Sequence, residues 1–249
     1  MVAPLSELER DLLTWVLPEA RPVYAPYRQA VMTWSVAARG AQGDGHIVLA
    51  PPGLPIDLDL PLPQVLAYGV LETSQGSIAV TVRERVADRL DCDVASLSGR
   101  DLPARFTELR RWSYSEWNPG NPCPMCSGHV REVRWMTATG AELVIGICQA
   151  DRRIWVFDSS RELTIPVPVT SFYNELMRVR RIRDPEIALN PDLFYASLPS
   201  YSDAELTEAF FRYNALRPKI ADGVAAQPSR AGRSQVLRLL RKFLGTSQS

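Results

Sequence analysis

Three short segments of alternating apolar and polar residues, joined by tight turns, constrain the fold more than any other feature of this chain. The segments span residues 130–137, 142–148 and 154–157, with turn residues at Thr139–Gly140 and Asp151–Arg152. Alternation of this kind predicts strands that bury one face, and such short turns join antiparallel neighbours. The sequence therefore predicts a three-stranded meander, which together with the segment leading into it occupies residues 117–158.

The rest of the chain adds hairpins to this meander. Further hairpins are predicted from residues 33–39 with 46–50 and from residues 65–71 with 77–85, each around a glycine-containing turn.

Helices are predicted before and after the strands. Ser6 with Glu9 and Ser202 with Glu205 have the spacing of capping boxes, which start helices. Two more helices are predicted near Pro26 and after Pro168. We therefore expect an α+β fold in which a mainly antiparallel sheet, with a zinc-ribbon-like meander, is flanked by N-terminal and C-terminal helices. Residues 1–217 are predicted to form its single globular domain.

Composition and termini suggest the cellular compartment. At 249 residues with 46% hydrophobic content, the chain can bury a core without covalent crosslinks. The first apolar pattern is interrupted by three acidic residues, unlike a signal peptide, and no apolar stretch approaches the roughly 20 residues that span a bilayer. Four unevenly spaced cysteines do not resemble a disulfide framework. We expect a cytoplasmic protein with reduced thiols, either free or peripheral to a membrane or larger complex.

Three cysteines have spacing that resembles a metal site. Cys123 and Cys126 form a C-x2-C knuckle, and Cys148 follows 22 residues after Cys126 at the end of a predicted strand. A zinc ribbon places two such knuckles on turns so that four ligands meet at one ion. Asp151 or His129 would supply the missing fourth ligand, because zinc also accepts carboxylate oxygen and imidazole nitrogen. The sequence therefore predicts a structural Zn²⁺ site.

Other interpretations of these cysteines stay open. The hairpins can hold their turns without any metal, as in a ribbon that has lost its ion. Cys123-Pro-Met-Cys126 can also cycle between dithiol and disulfide if a helix N-terminus acidifies its first thiol, but the residues after it alternate like a strand. A small thiol-dependent or metal-dependent enzyme centred on Cys123 and Cys126 is therefore the alternative function.

Few other residues suggest catalysis. The chain has only two histidines, His46 and His129, and lacks the usual nucleophile and phosphate-binding motifs. Asp91 and Asp93 alternate along the chain; such a pair can bind magnesium, but a solvated strand face explains it. Cys92, between them, is expected to be a small buried hydrophobic residue. These observations favour a non-enzymatic role.

Arginines beside aromatic residues raise a further alternative. Trp112, Trp117, Trp135 and Trp155 lie close to arginines in the sequence, and such pairs can stack on bases and contact phosphates. However, the part of the chain before the C-terminal segment is net acidic, whereas phosphate neutralisation dominates affinity for nucleic acids. Nucleic-acid binding through an Arg/Trp-rich surface is thus a third hypothesis.

The C-terminal segment is basic and amphipathic. Residues 218–232 have the composition of a flexible linker, and after Asp222 there are five basic residues and no acidic ones. Residues 233–249 then contain apolar side chains at helical spacing and basic side chains on the other face. The predicted contact residues are Arg233, Val236, Leu237, Arg238, Leu240, Arg241, Lys242, Phe243 and Leu244.

A helix this short is marginal alone in water, so it needs a surface on which to fold. That surface can be the chain's own acidic body, a groove in a partner protein or an anionic membrane. We therefore predict a binding or assembly subunit that docks to a partner protein, or to an anionic membrane surface, through this tethered helix.

Overall fold

Four α-helices and ten β-strands make up the part of the chain that the structure describes. This computed structural model describes residues 2–58, 61–99, 101–102, 105–180 and 197–216, without the side chains of residues 170, 198 and 214–216. The helices are α1 (Glu7–Trp15), α2 (Ala25–Thr33), α3 (Val169–Arg180) and α4 (Asp203–Leu216). The strands are β1 (Ser35–Arg39), β2 (His46–Ala50), β3 (Val65–Thr73), β4 (Gly76–Arg83), β5 (Leu90–Ser96), β6 (Glu108–Ser113), β7 (Arg131–Met136), β8 (Glu142–Cys148), β9 (Arg153–Asp158) and β10 (Leu163–Val167).

The predicted mixture of helices and antiparallel sheet is confirmed in these residues. None of the described helices is both long enough and apolar enough to cross a bilayer. The predicted linker 218–232 and docking helix 233–249 lie outside the described residues.

The first helix begins where its capping box predicts. The Ser6 side-chain oxygen accepts a hydrogen bond from the Glu9 backbone N–H at 3.2 Å, and the Glu9 carboxylate accepts one from the Ser6 N–H at 2.7 Å. Arg39 of β1 donates to the same carboxylate at 2.7 Å. Leu12 and Leu13 are fully buried, so α1 is fixed both by its apolar face and by a polar contact at its start.

One sheet has six antiparallel strands in the order β1–β2–β5–β4–β3–β6. Both predicted hairpins are confirmed, since β1 pairs with β2 and β3 pairs with β4. Two further strands were not predicted from the sequence: β5, which lies between the hairpins, and β6, which forms the outer edge beside β3. Helix α1 packs closely on this sheet at Gly69, where a Cβ atom would lie 2.7 Å from the Trp15 ring.

The other sheet has four strands in the order β10–β9–β8–β7. Strands β7, β8 and β9 form the predicted antiparallel meander, and β10 extends it by pairing with β9. Pro166 is tolerated in β10 because this is an edge strand, where one side of the backbone needs no partner. Gly146 of β8 allows the buried Trp155 indole to cross the strand, since a Cβ atom there would lie 2.6 Å from it.

Among the described residues, the core consists of three apolar clusters. The largest joins α1 and α2 to one face of the six-stranded sheet, and it also includes Leu163 and Ile165 of β10. A second lies between the four-stranded sheet and helices α3 and α4. The third is rich in aromatic residues and contains Val70, Trp112, Tyr114, Trp117, Cys123, Val130, Val144, Cys148 and Trp155. Two cysteines of the predicted metal site therefore lie within this aromatic cluster.

Candidate metal centre

A tight turn presents Cys123 and Cys126. The Cys123 N–H donates to the Gly128 carbonyl at 3.0 Å, and the Ser127 N–H donates back to the Cys123 carbonyl at 2.8 Å. Ser127 has a φ of 57°, in the left-handed region that closes such turns. The chain enters this turn from β6 through a short 3₁₀ helix, Tyr114–Glu116. This backbone geometry gives the C-x2-C segment its knuckle shape.

A second turn presents Cys148 and Asp151. Strand β8 ends at Cys148, and the Asp151 backbone N–H donates to the Cys148 Sγ at 3.3 Å. Arg152 has a φ of 56° and completes the turn into β9. An N–H donor directed at a sulfur stabilises the thiolate form, which is the form that ligates metals. The two turns are therefore built alike, each around backbone hydrogen bonds near a cysteine.

The fold brings the three cysteines together. The Sγ atoms of Cys123, Cys126 and Cys148 lie within 4.8 Å of one another, close enough to hold a single metal ion. We call these residues the thiol cluster. Cys126 Sγ is 3.5 Å from Cys148 Sγ. Cys126 is exposed, whereas Cys123 and Cys148 are buried.

Asp151 lies directly beside the thiol cluster. Its Oδ2 atom is 3.4 Å from Cys123 Sγ and also accepts a short hydrogen bond from the Tyr114 hydroxyl. Its Oδ1 atom is buried and has no hydrogen-bond partner among the described residues. A buried carboxylate oxygen without a partner costs free energy, so a cation at this position would compensate it.

Burial and hydrogen bonding divide the three thiols by acidity. Burial raises the pKa values of Cys123 and Cys148 above their usual range. Burial acts in the same direction on Cys126, but hydrogen bonds from the Gly128 backbone and from the other two thiols outweigh it, so the pKa of Cys126 is lowered. Burial and the contact with Asp151 raise the pKa of Tyr114, which keeps its phenol neutral and donating.

His129 does not join the thiol cluster. It is exposed and lines an open groove of about 660 Å³ with Asn121, Arg131 and Glu132. The predicted partner-binding residues, Arg233, Val236, Leu237, Arg238, Leu240, Arg241, Lys242, Phe243 and Leu244, lie outside the described residues.

Most of the tryptophans beside arginines are internal. Trp112, Trp117 and Trp155 are buried in the aromatic cluster, whereas Trp135 is 44% exposed and packs edge-on against Phe211. Trp155 and Trp117 rings lie 5.3 Å apart. Three of these four tryptophan rings therefore pack in the same apolar cluster as Cys123 and Cys148. Tyr114 also lies near arginines in the sequence, but no sequence pattern indicates its contact with Asp151, the fourth-ligand candidate.

The structure also contains a buried polar cluster that the sequence analysis did not predict, formed by His46, Arg89 and Asp91. His46 Nε2 is 3.0 Å from Asp91 Oδ1, and Arg89 donates to the same oxygen at 2.7 Å. Asp91 is fully buried, so the expectation of a solvated strand face is wrong for this residue. The buried Arg89 guanidinium is its ion-pair partner. Cys92, as expected, is fully buried.

Comparison with known proteins identifies no relative, since no family model, characterised protein or solved structure matches the chain.

Proposed function

We propose that this protein is a non-enzymatic binding or assembly subunit whose ribbon-like meander is held by a structural zinc ion. The thiol cluster supplies three sulfur ligands and Asp151 supplies one oxygen ligand. Four ligands complete the tetrahedral set of a structural zinc site and leave no open position for water or substrate. The observation that carries this proposal is the set of three mutually close thiols, with the Asp151 carboxylate in contact with one of them.

The donor set favours zinc over harder cations. Thiolates are soft ligands, which select zinc, copper(I) or iron–sulfur clusters over magnesium or calcium. The arrangement on two turns that join strands is typical of zinc ribbons. Asp151 is a better fourth ligand than His129, because its carboxylate contacts Cys123 while His129 lies on the groove.

Tyr114 is proposed as the residue that orients Asp151. A carboxylate that ligates a metal is usually held by a hydrogen bond to its other oxygen. The Tyr114 hydroxyl already donates to this carboxylate and its ring packs 4.7 Å from the Trp155 ring. Packing against Trp155 therefore holds the Tyr114 ring in place, and the hydrogen bond from its hydroxyl orients the Asp151 carboxylate.

Zinc content of the purified full-length chain tests the metal site. We expect stoichiometric zinc by elemental analysis, with the three clustered thiols protected from a thiol reagent. Tyr114→Phe is expected to weaken zinc binding by about 10-fold, within the range for residues that hold metal ligands, and Asp151→Asn, which alters a ligand itself, by about 100-fold. Affinity would be measured by competition with a chromogenic chelator.

His129→Asn is the matched control for these variants. It removes the other sequence-predicted ligand without touching the thiol cluster, so zinc affinity should not change. A large loss in this variant with none in Asp151→Asn would reverse the assignment of the fourth ligand.

Docking through the C-terminal segment is the second part of the proposal. Its support is the sequence pattern of residues 233–249, in which leucines and Phe243 share one helical face and basic residues share the other. Such a helix gains order by burying its apolar face in a partner's groove. In this role the metal-held meander is a rigid body and the C-terminal helix is the attachment.

Two sets of substitutions in this helix test the docking. Replacing Leu237, Leu240 and Phe243 by Ala should abolish partner association while keeping every charge. Replacing Arg238, Arg241 and Lys242 by Gln should weaken it less, because an apolar groove supplies most of the binding free energy. The partner would be identified by mass spectrometry and the complex rebuilt from purified components.

Binding to vesicles that contain an anionic phospholipid, with loss in the Gln variant, would instead assign the helix to a membrane surface. Association that survives in both variants would contradict a docking role.

One observation favours a second candidate, a thiol-dependent enzyme. Cys126 is exposed, has a lowered pKa and lies 3.5 Å from another thiol, as a reactive thiol requires. The same elemental analysis separates the candidates, because this enzyme would be purified with reactive thiols and without zinc.

A further inference from the structure

The three thiols of the cluster differ in access to solvent. Cys126 is exposed, whereas Cys123 is 1% exposed and Cys148 is fully buried. Only Cys126 can therefore be reached by an oxidant from solution while the fold stays closed.

The two buried thiols also differ in what they face. Cys123 Sγ lies within 4.8 Å of the other two sulfurs but also contacts the Asp151 carboxylate at 3.4 Å, while Cys148 Sγ lies 3.5 Å from Cys126 Sγ. A disulfide needs its sulfurs about 2.05 Å apart, and a small side-chain movement brings these two to that distance. Cys148 is thus placed to react with an oxidised Cys126.

We propose that the thiol cluster is a redox switch in which a hydroperoxide converts Cys126 and Cys148 into a disulfide and so releases the metal. This inference rests on the proposed zinc site, since it describes how that site is regulated. The fold exposes Cys126 to the oxidant and places Cys148 beside it to complete the disulfide.

The chemistry balances in two steps. The Cys126 thiolate attacks the terminal oxygen of the hydroperoxide, an S–O bond forms, the O–O bond breaks and an alcohol or water leaves after taking up a proton. The sulfur loses two electrons to the peroxide and becomes a sulfenic acid. The Cys148 thiolate then attacks this sulfur, an S–S bond forms, the S–O bond breaks and hydroxide leaves and is protonated to water.

Metal release follows from the change in ligands. A disulfide sulfur carries no negative charge, whereas the thiolate is the form that ligates metals. Of the proposed four ligands, only Cys123 and Asp151 remain after oxidation. Two ligands cannot hold zinc in competition with chelators, so the ion leaves, and the new disulfide ties the knuckle to the end of β8 in its place.

The test is oxidation of the zinc-loaded full-length chain with hydrogen peroxide. We expect two thiols to disappear for each zinc released to a chromogenic chelator, with a peptide map showing the Cys126–Cys148 disulfide. Dithiothreitol with added zinc should restore the starting metal content. Cys92→Ser is the matched control, because Cys92 is buried in the other sheet and should not change release.

A metal-free arm keeps the test independent of zinc affinity. In the reduced, metal-free chain, Cys123→Ser should still form the Cys126–Cys148 disulfide, while Cys126→Ser and Cys148→Ser, which each lack one partner, should form at least 10-fold less disulfide of any pairing. Full retention of zinc after oxidation, or a Cys123–Cys126 bond as the main product, would overturn the switch. A chain purified without zinc would overturn the metal site and with it metal release, while this arm would still judge the thiol pairing.

Discussion

The buried polar cluster and the thiol cluster both place ionisable side chains in the interior, but only the first contains its own positive charge. In the polar cluster, the Arg89 guanidinium donates to Asp91 at 2.7 Å and its side chain is only 5% exposed. The thiol cluster contacts the carboxylate of Asp151, and no salt bridge among the described residues includes that carboxylate. A described guanidinium therefore faces the Asp91 carboxylate, whereas the proposed zinc ion would supply the positive charge beside Asp151.

This difference predicts how the stability of each region responds to substitutions and to metal concentration. A buried ion pair is internally balanced, so its stability depends on keeping every member. A metal site is balanced only when the ion is bound, so the stability of the surrounding turns depends on the concentration of that ion. We expect the six-stranded sheet to be insensitive to chelators and the thiol end of the meander to depend on zinc.

The largest expected effect is loss of zinc-dependent stability in Cys148→Ser. With free zinc about 1000-fold above its dissociation constant, binding adds about 4 kcal/mol to the free energy of unfolding. This variant should lose that contribution because it removes a buried ligand, and zinc should no longer raise its stability. Urea unfolding with and without zinc measures the difference.

Cys92→Ser serves as the comparison for this prediction. It also replaces a buried thiol by a hydroxyl, so it carries the cost of burying a polar group but should keep the full response to zinc. If both variants lost the zinc response equally, the metal would not be held by the thiol cluster.

The next effect concerns the polar cluster, through Asp91→Asn. The substitution keeps the shape but removes the charge that balances Arg89. Breaking a buried pair in this way typically costs several kcal/mol, and we expect about 3 kcal/mol because the amide oxygen can still accept a hydrogen bond. Urea unfolding followed by circular dichroism would show it, and zinc should not change it.

Asp93→Asn provides the matched control in the same strand. Asp93 pairs with Arg83 at 3.1 Å, and both side chains are at least one-fifth exposed, so solvent screens the pair and its loss should cost less than about 1 kcal/mol. Equal costs at the two positions would mean that burial of Asp91 contributes nothing to the difference.

The sequence predicted the elements that depend on local signals. The Ser6–Glu9 capping box and the β3–β4 hairpin depend on residues close in the chain, and both are present. Strand β6 was missed because its partner, β3, is distant in the chain. Strands β5 and β10 directly follow β4 and β9, with which they pair, and were missed because their own residues carry weak signals. Pro166 in β10, for example, reads as a strand breaker until the edge position is known.

The candidate site divides in the same way. The spacing of Cys123, Cys126 and Cys148 was sufficient to predict that they meet. The contact of Tyr114 with Asp151, and the contact of Arg89 with Asp91, depend on how strands and turns pack, so neither could be found from spacing. Burial of Asp91 is the clearest failure, since its alternation with Asp93 also fits a solvated face.

A smaller loss of stability is expected at the two capping boxes. The Ser6–Glu9 contacts are partly buried and the Ser202–Glu205 contacts are exposed. Ser6→Ala should cost about 1 kcal/mol, a typical value for loss of an N-cap side chain. Glu9 is buried and held by Arg39, so the lost contacts are shielded from water. Ser202→Ala removes the same contacts at an exposed site and should cost about half as much. Thermal unfolding of both variants would rank them, and a larger cost at Ser202 would contradict the role assigned to burial.

The smallest effect is the acid titration of Glu205. A side-chain hydrogen bond from Arg180, with further bonds from Ser202, lowers the pKa of Glu205 from 4.5 to about 2. Because the folded-state pKa lies below the ordinary value, the stabilising contribution is fully present above pH 4.5 and is lost as the pH falls towards 2. NMR titration of the Glu205 carboxyl carbon should therefore give a midpoint near 2. Arg180→Gln should move this midpoint up towards 4.5, and added salt should move it in the same direction because the pair is exposed and screened. A midpoint near 4.5 in the unchanged chain at low salt would show that the contact with Arg180 does not stabilise the ionised form of Glu205.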